Sequence, residues 1–143
     1  MKCKKNAVGV MNEFKESFAW LASYQSKNLF ISFERKPITA SARLQIITGI
    51  YLGPSKTMHV DVYASWPTGW TFSTEDDHVF YPGTIKFSSN DVPNAAQNVL
   101  FSIDLSGYLN GAIADAAFAL GFGEFEDEVW QHLANQIEKK ICN

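Results

Sequence analysis

Apolar residues recur along the chain with two periods, and the switches between them mark out its elements. From Met11 to about Tyr24 the period is helical. Met11, Phe14, Phe18 and Leu21 follow at spacings of three, four and three and so share one face, with Asn12 as the candidate cap. Leu29, Ile31 and Phe33 then alternate with Phe30, Ser32 and Glu34, which predicts a strand closed by Pro37. Phe30 on its polar side implies cover on both faces. Ala40 to Leu52 admits two readings. Leu44, Ile46, Thr48, Ile50 and Leu52 alternate as in a strand, and the β-branched residues favour it, but a helix entered through Thr39 or Ser41 stays open. Gly53-Pro54 is a break.

Met58, Val60 and Val62 alternate with His59, Asp61 and Tyr63, giving a strand with one wet face. Trp66 to Pro82 reads as an irregular centre, with short strands at Trp70 to Phe72 and, beyond it, at Thr84 to Phe87. Asn90 to Gln97 reads as loop. Val99, Phe101, Ile103 and Leu105 then alternate with Leu100, Ser102, Asp104 and Ser106 in a further strand ended by Ser106-Gly107. Ala112 to Leu120 fits a short, tightly packed helix closed by Gly121 and Gly123. In the last segment Phe125, Val129, Leu133, Ile137 and Ile141 recur every four residues. Acids at its start and Lys139 and Lys140 at its end complement a helix dipole. The expected fold is α/β, with α+β as the other option: one domain over residues 1–143, a mixed sheet of four to six strands, and about three helices at Met11–Tyr24, Ala112–Leu120 and Phe125–Ile141.

Composition narrows the function classes. With 143 residues the chain can bury about two thirds of its unfolded surface, so neither metal nor disulfide is needed to hold it. The net charge of −3 gives no support to non-specific nucleic-acid binding, which rests on neutralising phosphates. Met1 to Val10 lacks the long apolar stretch of a signal peptide, and no run approaches the ~20 apolar residues that cross a bilayer, so a cytoplasmic location without membrane contact is expected. Cys3 and Cys142 stand at opposite ends. Chain ends often lie close, which would allow a bridge, but two free thiols in a reducing compartment is the favoured reading.

Candidate chemistry is sparse. His59 and Asp61 share a strand face but fall short of a zinc ligand set and read as a solvent-facing pair. Asp76, Asp77 and His78 could supply an acid, a base or a cation ligand, or form a polar turn. With Trp66 and Trp70 beside them they make a candidate acidic, aromatic partner-binding face. Ser106-Gly107, between a strand and an expected helix, is where backbone N–H groups can attract phosphate, although ordinary turn glycines explain it as well. Arg35, Lys36 and Arg43 bracket the turn after the first strand and could hold an anion or form a solvated edge. No serine, cysteine or histidine is placed to suggest a nucleophile–base pair, and no cofactor or metal is expected.

The stretch VLFSIDLSGYLNGAI, from Val99 to Ile113, resembles the strand-turn-helix of CARF-type sensor domains and the related SAVED domains. The order of a strand at Leu29, the central GWTFSTEDDHVF and the strand into SG is also similar. The resemblance implies a Rossmann-like sheet and recognition of cyclic or linear oligonucleotide messengers in antiphage defence. It implies a pocket lined by Ser106, Gly107 and Tyr108, with Arg35, Lys36 and Arg43 on phosphate. The functional expectation is therefore a non-enzymatic sensor of a phosphate-bearing nucleotide, alone or as an oligomer. The alternative is a small interaction protein, such as an immunity protein or antitoxin, that blocks a toxin through Trp66, Trp70, Asp76, Asp77 and His78.

Overall fold

A computed structural model describes residues 1–26, 28–107 and 122–143. Helix α1 (Ala7–Ala22) leads into strands β1 (Tyr24–Ser26), β2 (Leu29–Phe33), β3 (Arg43–Ile50), β4 (Ser55–Trp66), β5 (Gly69–Thr74), β6 (Gly83–Asp91) and β7 (Val99–Gly107). Helix α2 (Phe122–Gln136) follows and runs on into a π-helical turn, Ile137–Cys142.

The seven strands form one sheet in the order β1-β2-β3-β4-β5-β6-β7, and every neighbouring pair is antiparallel. The class is thus α+β, and the mixed sheet of four to six strands gives way to a seven-stranded meander. The connections explain this. The longest link between strands, residues 34–42, is shorter than the dozen or more residues a parallel crossover needs, so each strand can only fold back on its predecessor. Two expectations about extent also change. β1 takes Tyr24, which the helical pattern had absorbed, and the irregular centre shrinks to residues 75–82 because Pro67 and Thr68 alone turn β4 into β5. The expected helix at Ala112–Leu120 lies outside the described residues. Within the ambiguous span Ala40–Leu52, Arg43–Ile50 is strand, its buried Leu44 and Ile46 facing the core.

Helix α1 packs against both β2 and β6, so the sheet curls around it. Its cap is Asn6, not Asn12: the Asn6 carboxamide oxygen accepts the Gly9 N–H at 2.9 Å, and Asp91 of β6 accepts the Ala7 N–H at 2.8 Å. The predicted stripe is the buried one, with Met11, Phe14 and Phe18 fully inaccessible and Leu21 nearly so. Phe14 and Phe18 meet Trp70 and Phe87 at centroid distances of 4.8 to 5.7 Å, and most of these contacts are steeply tilted, the arrangement aromatic quadrupoles favour. Phe125, Val129, Leu133, Ile137 and Ile141 are all buried. A strict four-residue repeat drifts around a 3.6-residue helix, and the wider π turn at the end lets Ile141 stay on the inner side.

Cys3 and Cys142 are joined in a disulfide, which corrects the expectation of free thiols. The ends are brought together by the fold. Cys3 N–H donates to the Gln97 carbonyl at 2.7 Å and Lys4 N–H to the Cys142 carbonyl at 3.1 Å. No helix among the described residues is long and apolar enough to cross a membrane.

Candidate functional site

The sheet has an inner face against the helices and an outer face, and alternation along each strand sorts the polar side chains outward. Register then assembles them. Arg43 on β3 pairs with Asp61 on β4, Asp61 with Ser73 on β5, Ser73 with Thr84 on β6, and Thr84 with Ser106 on β7, forming one row across the outer face. Charge concentrates at the β3–β4 end of this row, where the loop after β5 folds over it.

There Arg43 makes a two-pronged contact with Glu75, Nε to Oε2 at 2.7 Å and Nη2 to Oε1 at 2.8 Å. This hydrogen bonding holds the Glu75 carboxyl below its ordinary range and raises the guanidinium further. Asp61 is pushed up by partial burial and by its hydrogen-bond contact with Glu75. Two residue pairs further along, Asp77 clasps His59: Oδ1 accepts the His59 backbone N–H at 2.9 Å and Oδ2 lies 2.6 Å from Nδ1. That contact fixes the ring and turns Nε2 away from the carboxylate. Glu34 accepts the Gln45 N–H at 3.0 Å, which is the main reason its carboxyl is lowered, and Lys36 lies 3.5 Å from it. A β-bulge between Val62 and Ala64 leaves Tyr63 unpaired with β5, and the residue is 76% exposed two positions along β4 from Asp61.

The residues chosen from sequence are distributed differently from the expectation. Trp70 has no exposed surface and belongs to the core, so it is no part of a binding face. Alternation along β5 turns its side chain to the inner face, where the aromatic cluster claims it. Trp66 is half-buried: its carbonyl accepts from Lys15 Nζ at 2.6 Å and its ring carries Lys86 Nζ 5.6 Å above it. His78 is buried as well. Its Nδ1 accepts the Phe80 N–H at 3.0 Å, and burial pushes its pKa down to about 4, so it serves the loop as a neutral acceptor. Asp76 is exposed and Asp77 is occupied by His59.

Of the anion-site candidates, Arg35 stacks its guanidinium over the Trp20 ring at 5.7 Å, Lys36 leans on Glu34 and Arg43 is held by Glu75. Arg43 and Ser106 do share the outer row, but four strand spacings, roughly 19 Å, separate them. Gly107 has a structural reason to be glycine: its φ is +155°, and a Cβ there would stand 2.6 Å from Gly83 Cα and 2.7 Å from the Pro82 carbonyl oxygen. Tyr108 lies outside the described residues.

Sequence reasoning paired His59 with Asp61 as a solvent-facing couple and found the strand correctly, but the partners of both come from other elements. Hairpin symmetry was the available signal: a turn centred on Leu52 sets Arg43 opposite Asp61. The bulge that presents Tyr63 had no signal in the alternation. A second feature went unread. An open apolar hollow of about 510 Å³ lies between β1, β2 and the β3–β4 turn, lined by Tyr24, Phe30, Ile31, Ile50, Tyr51 and Leu52 among others. Leu52 there is 92% exposed with φ of 59°.

No protein family, no curated protein and no solved structure matches this chain.

Proposed function

We propose that the protein is a non-enzymatic interaction module that binds a basic protein partner through the outer face of β3, β4 and the loop after β5. The observation that carries this reading is the cluster of Glu34, Asp61, Glu75 and Asp77 on one face, with Asp76 exposed next to it and Arg43 and Lys36 as the nearby cations. Tyr63 supplies the aromatic anchor that Trp66 and Trp70 were expected to be; tyrosine combines a large apolar ring with a polar tip. A toxin-blocking or immunity role fits such a face, since complementary charge speeds encounter and rejects wrong partners.

Sensing of a phosphate-bearing nucleotide is the competing proposal, and the internal pairing of Arg35, Lys36 and Arg43 counts against it. A cytoplasmic location belongs to both proposals, and the Cys3–Cys142 bridge favours an oxidising compartment instead. The test is capture of partners from the native extract with wild-type protein and with Tyr63→Ala and Asp76→Lys. Retention of a basic protein that both substitutions release, and that high salt weakens, supports the proposal. A thermal-shift series with cyclic di- and trinucleotides runs beside it. A rise in melting temperature abolished by Arg43→Ala but untouched by Tyr63→Ala would replace it with the sensor reading.

A further inference from the structure

The turn from β3 into β4 is built against the preference of its own sequence. The Ile50 carbonyl accepts the Gly53 N–H at 2.9 Å, so Tyr51 and Leu52 are the central pair of a four-residue turn. Leu52 takes the second of these places with φ of 59°, a position that favours glycine or asparagine. A Cβ makes left-handed backbone costly, yet the leucine adopts it and the adjoining Gly53 does not. Among the described residues the other non-glycine positions at positive φ are Ser41, Asn94 and Gln97, all polar. Leu52 is also 92% exposed, more than any other large hydrophobic residue described. An apolar side chain held in water on a disfavoured backbone does little for folding, and such an outlier points to a contact outside the chain.

The tip stands at the lip of the 510 Å³ hollow and is fixed there. Ile50 N–H donates to the Pro54 carbonyl at 2.9 Å, and Tyr51 N–H donates to the Asn28 carbonyl between β1 and β2. The walls of the hollow are residues 23–25, 30–32, 50–53 and 55, and none of them is Asp, Glu, Lys or Arg. Projection and recess therefore sit side by side on an uncharged patch. Copies of a chain with net charge −3 repel one another where acidic surfaces face, so a patch without charge is where two of them can approach closely. A projection next to a recess is also self-complementary about a twofold axis, because each copy supplies both halves of the contact.

We propose that the Tyr51–Leu52 tip and this hollow form a dimer interface, in which Leu52 of each copy enters the hollow of the other. Phe30, Ile31 and Ile50 supply the apolar lining that receives it, and Tyr51 packs beside the incoming tip. The leucine then loses its exposure to water, which offsets its backbone cost only in the assembled pair. One tip and one hollow per copy make a small contact against the roughly 800 Å² per partner of a standard interface. The dimer is accordingly weak, with a dissociation constant of about 10 μM to 1 mM.

Sedimentation of the intact, oxidised chain from micromolar to millimolar concentration should show a monomer–dimer equilibrium. Leu52→Asn should raise the dissociation constant by about a hundredfold, since each dimer loses two buried leucines. In dilute solution the same substitution should leave the melting temperature unchanged or raise it, because asparagine tolerates the left-handed turn position. Gln25→Glu, at an exposed wall residue, should weaken the dimer by roughly threefold to thirtyfold, and added salt should recover part of the loss. The unmodified chain gives a readout free of any variant: the methyl resonances of Leu52, Ile31 and Ile50 should shift with concentration, and those of the buried Leu133 should not. A monomer at every concentration overturns the proposal, as does a dimer indifferent to both substitutions. A melting temperature lowered by Leu52→Asn in dilute solution also overturns it, since the leucine would then serve the fold. Neither variant touches Tyr63 or Asp76, so the outcome is separate from that of the basic-partner reading.

Discussion

Reducing the Cys3–Cys142 bridge should cost about 5 kcal/mol, because the bond closes a loop with a sequence separation of 139 and loop-closure entropy grows with the logarithm of loop length. The structure indicates where the cost falls. Both cysteines are buried, and the ends are also held by Cys3 to Gln97, Lys4 to Cys142 and Lys5 Nζ to the Ile141 carbonyl at 3.4 Å. These contacts survive loss of the sulfur bridge, so the folded state changes little and the effect resides in a freer unfolded chain. Domains of this kind have total stabilities of about 5–15 kcal/mol, so a third or more is at stake. The assay is urea unfolding of oxidised protein, of reduced protein and of a Cys3→Ser/Cys142→Ser variant. The midpoint should fall in the latter two, and the urea dependence should steepen because the unlinked chain exposes more surface. Alkylation in denaturant without reductant should leave the mass of the starting protein unchanged. A loss of less than about 1 kcal/mol with unchanged urea dependence would refute the assignment of the effect to the unfolded chain.

Leu133 is fully buried on α2, and Leu133→Ala should cost roughly 2–5 kcal/mol; an unchanged midpoint would mean the helix is not docked. Trp70 Nε1 is buried without a hydrogen-bond partner among the described residues, so Trp70→Phe removes an unsatisfied N–H worth about 1–3 kcal/mol and should come out near neutral despite the lost ring. A loss as large as the roughly 3–5 kcal/mol expected for Trp70→Ala would show that the indole N–H is satisfied in solution. His78 has a folded pKa of about 4 against an ordinary 6.5. Below pH 6.5 the unfolded chain takes up a proton that the folded one refuses, so stability should decline toward pH 4 by about 3 kcal/mol and then level off for this group. His78→Gln should remove that slope, and an identical pH profile in the variant would exclude His78 as its source. Gly107→Val should lower the melting temperature whatever the protein binds, since φ of +155° and the Pro82 and Gly83 contacts leave no room for the side chain.

Periodicity alone located several of the elements and their buried faces. The stripe Met11, Phe14, Phe18 and Leu21, the alternation through Met58, Val60 and Val62, and the four-residue repeat from Phe125 to Ile141 each name the buried face correctly, because burial acts on local spacing. Short links between strands also carried the antiparallel meander, although the expected fold leaned on a parallel alternative. Contacts distant in sequence were not legible. Trp70 and His78 look like surface chemistry beside Asp76 and Asp77, yet strand alternation and the curl around α1 place the first in the core and the loop buries the second. Arg43, Lys36 and Arg35 look like a cationic group, but Glu75, Glu34 and Trp20 claim them one by one. The pairing of Cys3 with Cys142 was open for the same reason: whether two chain ends meet depends on how the whole sheet closes, and only the tertiary structure brings them within bonding distance.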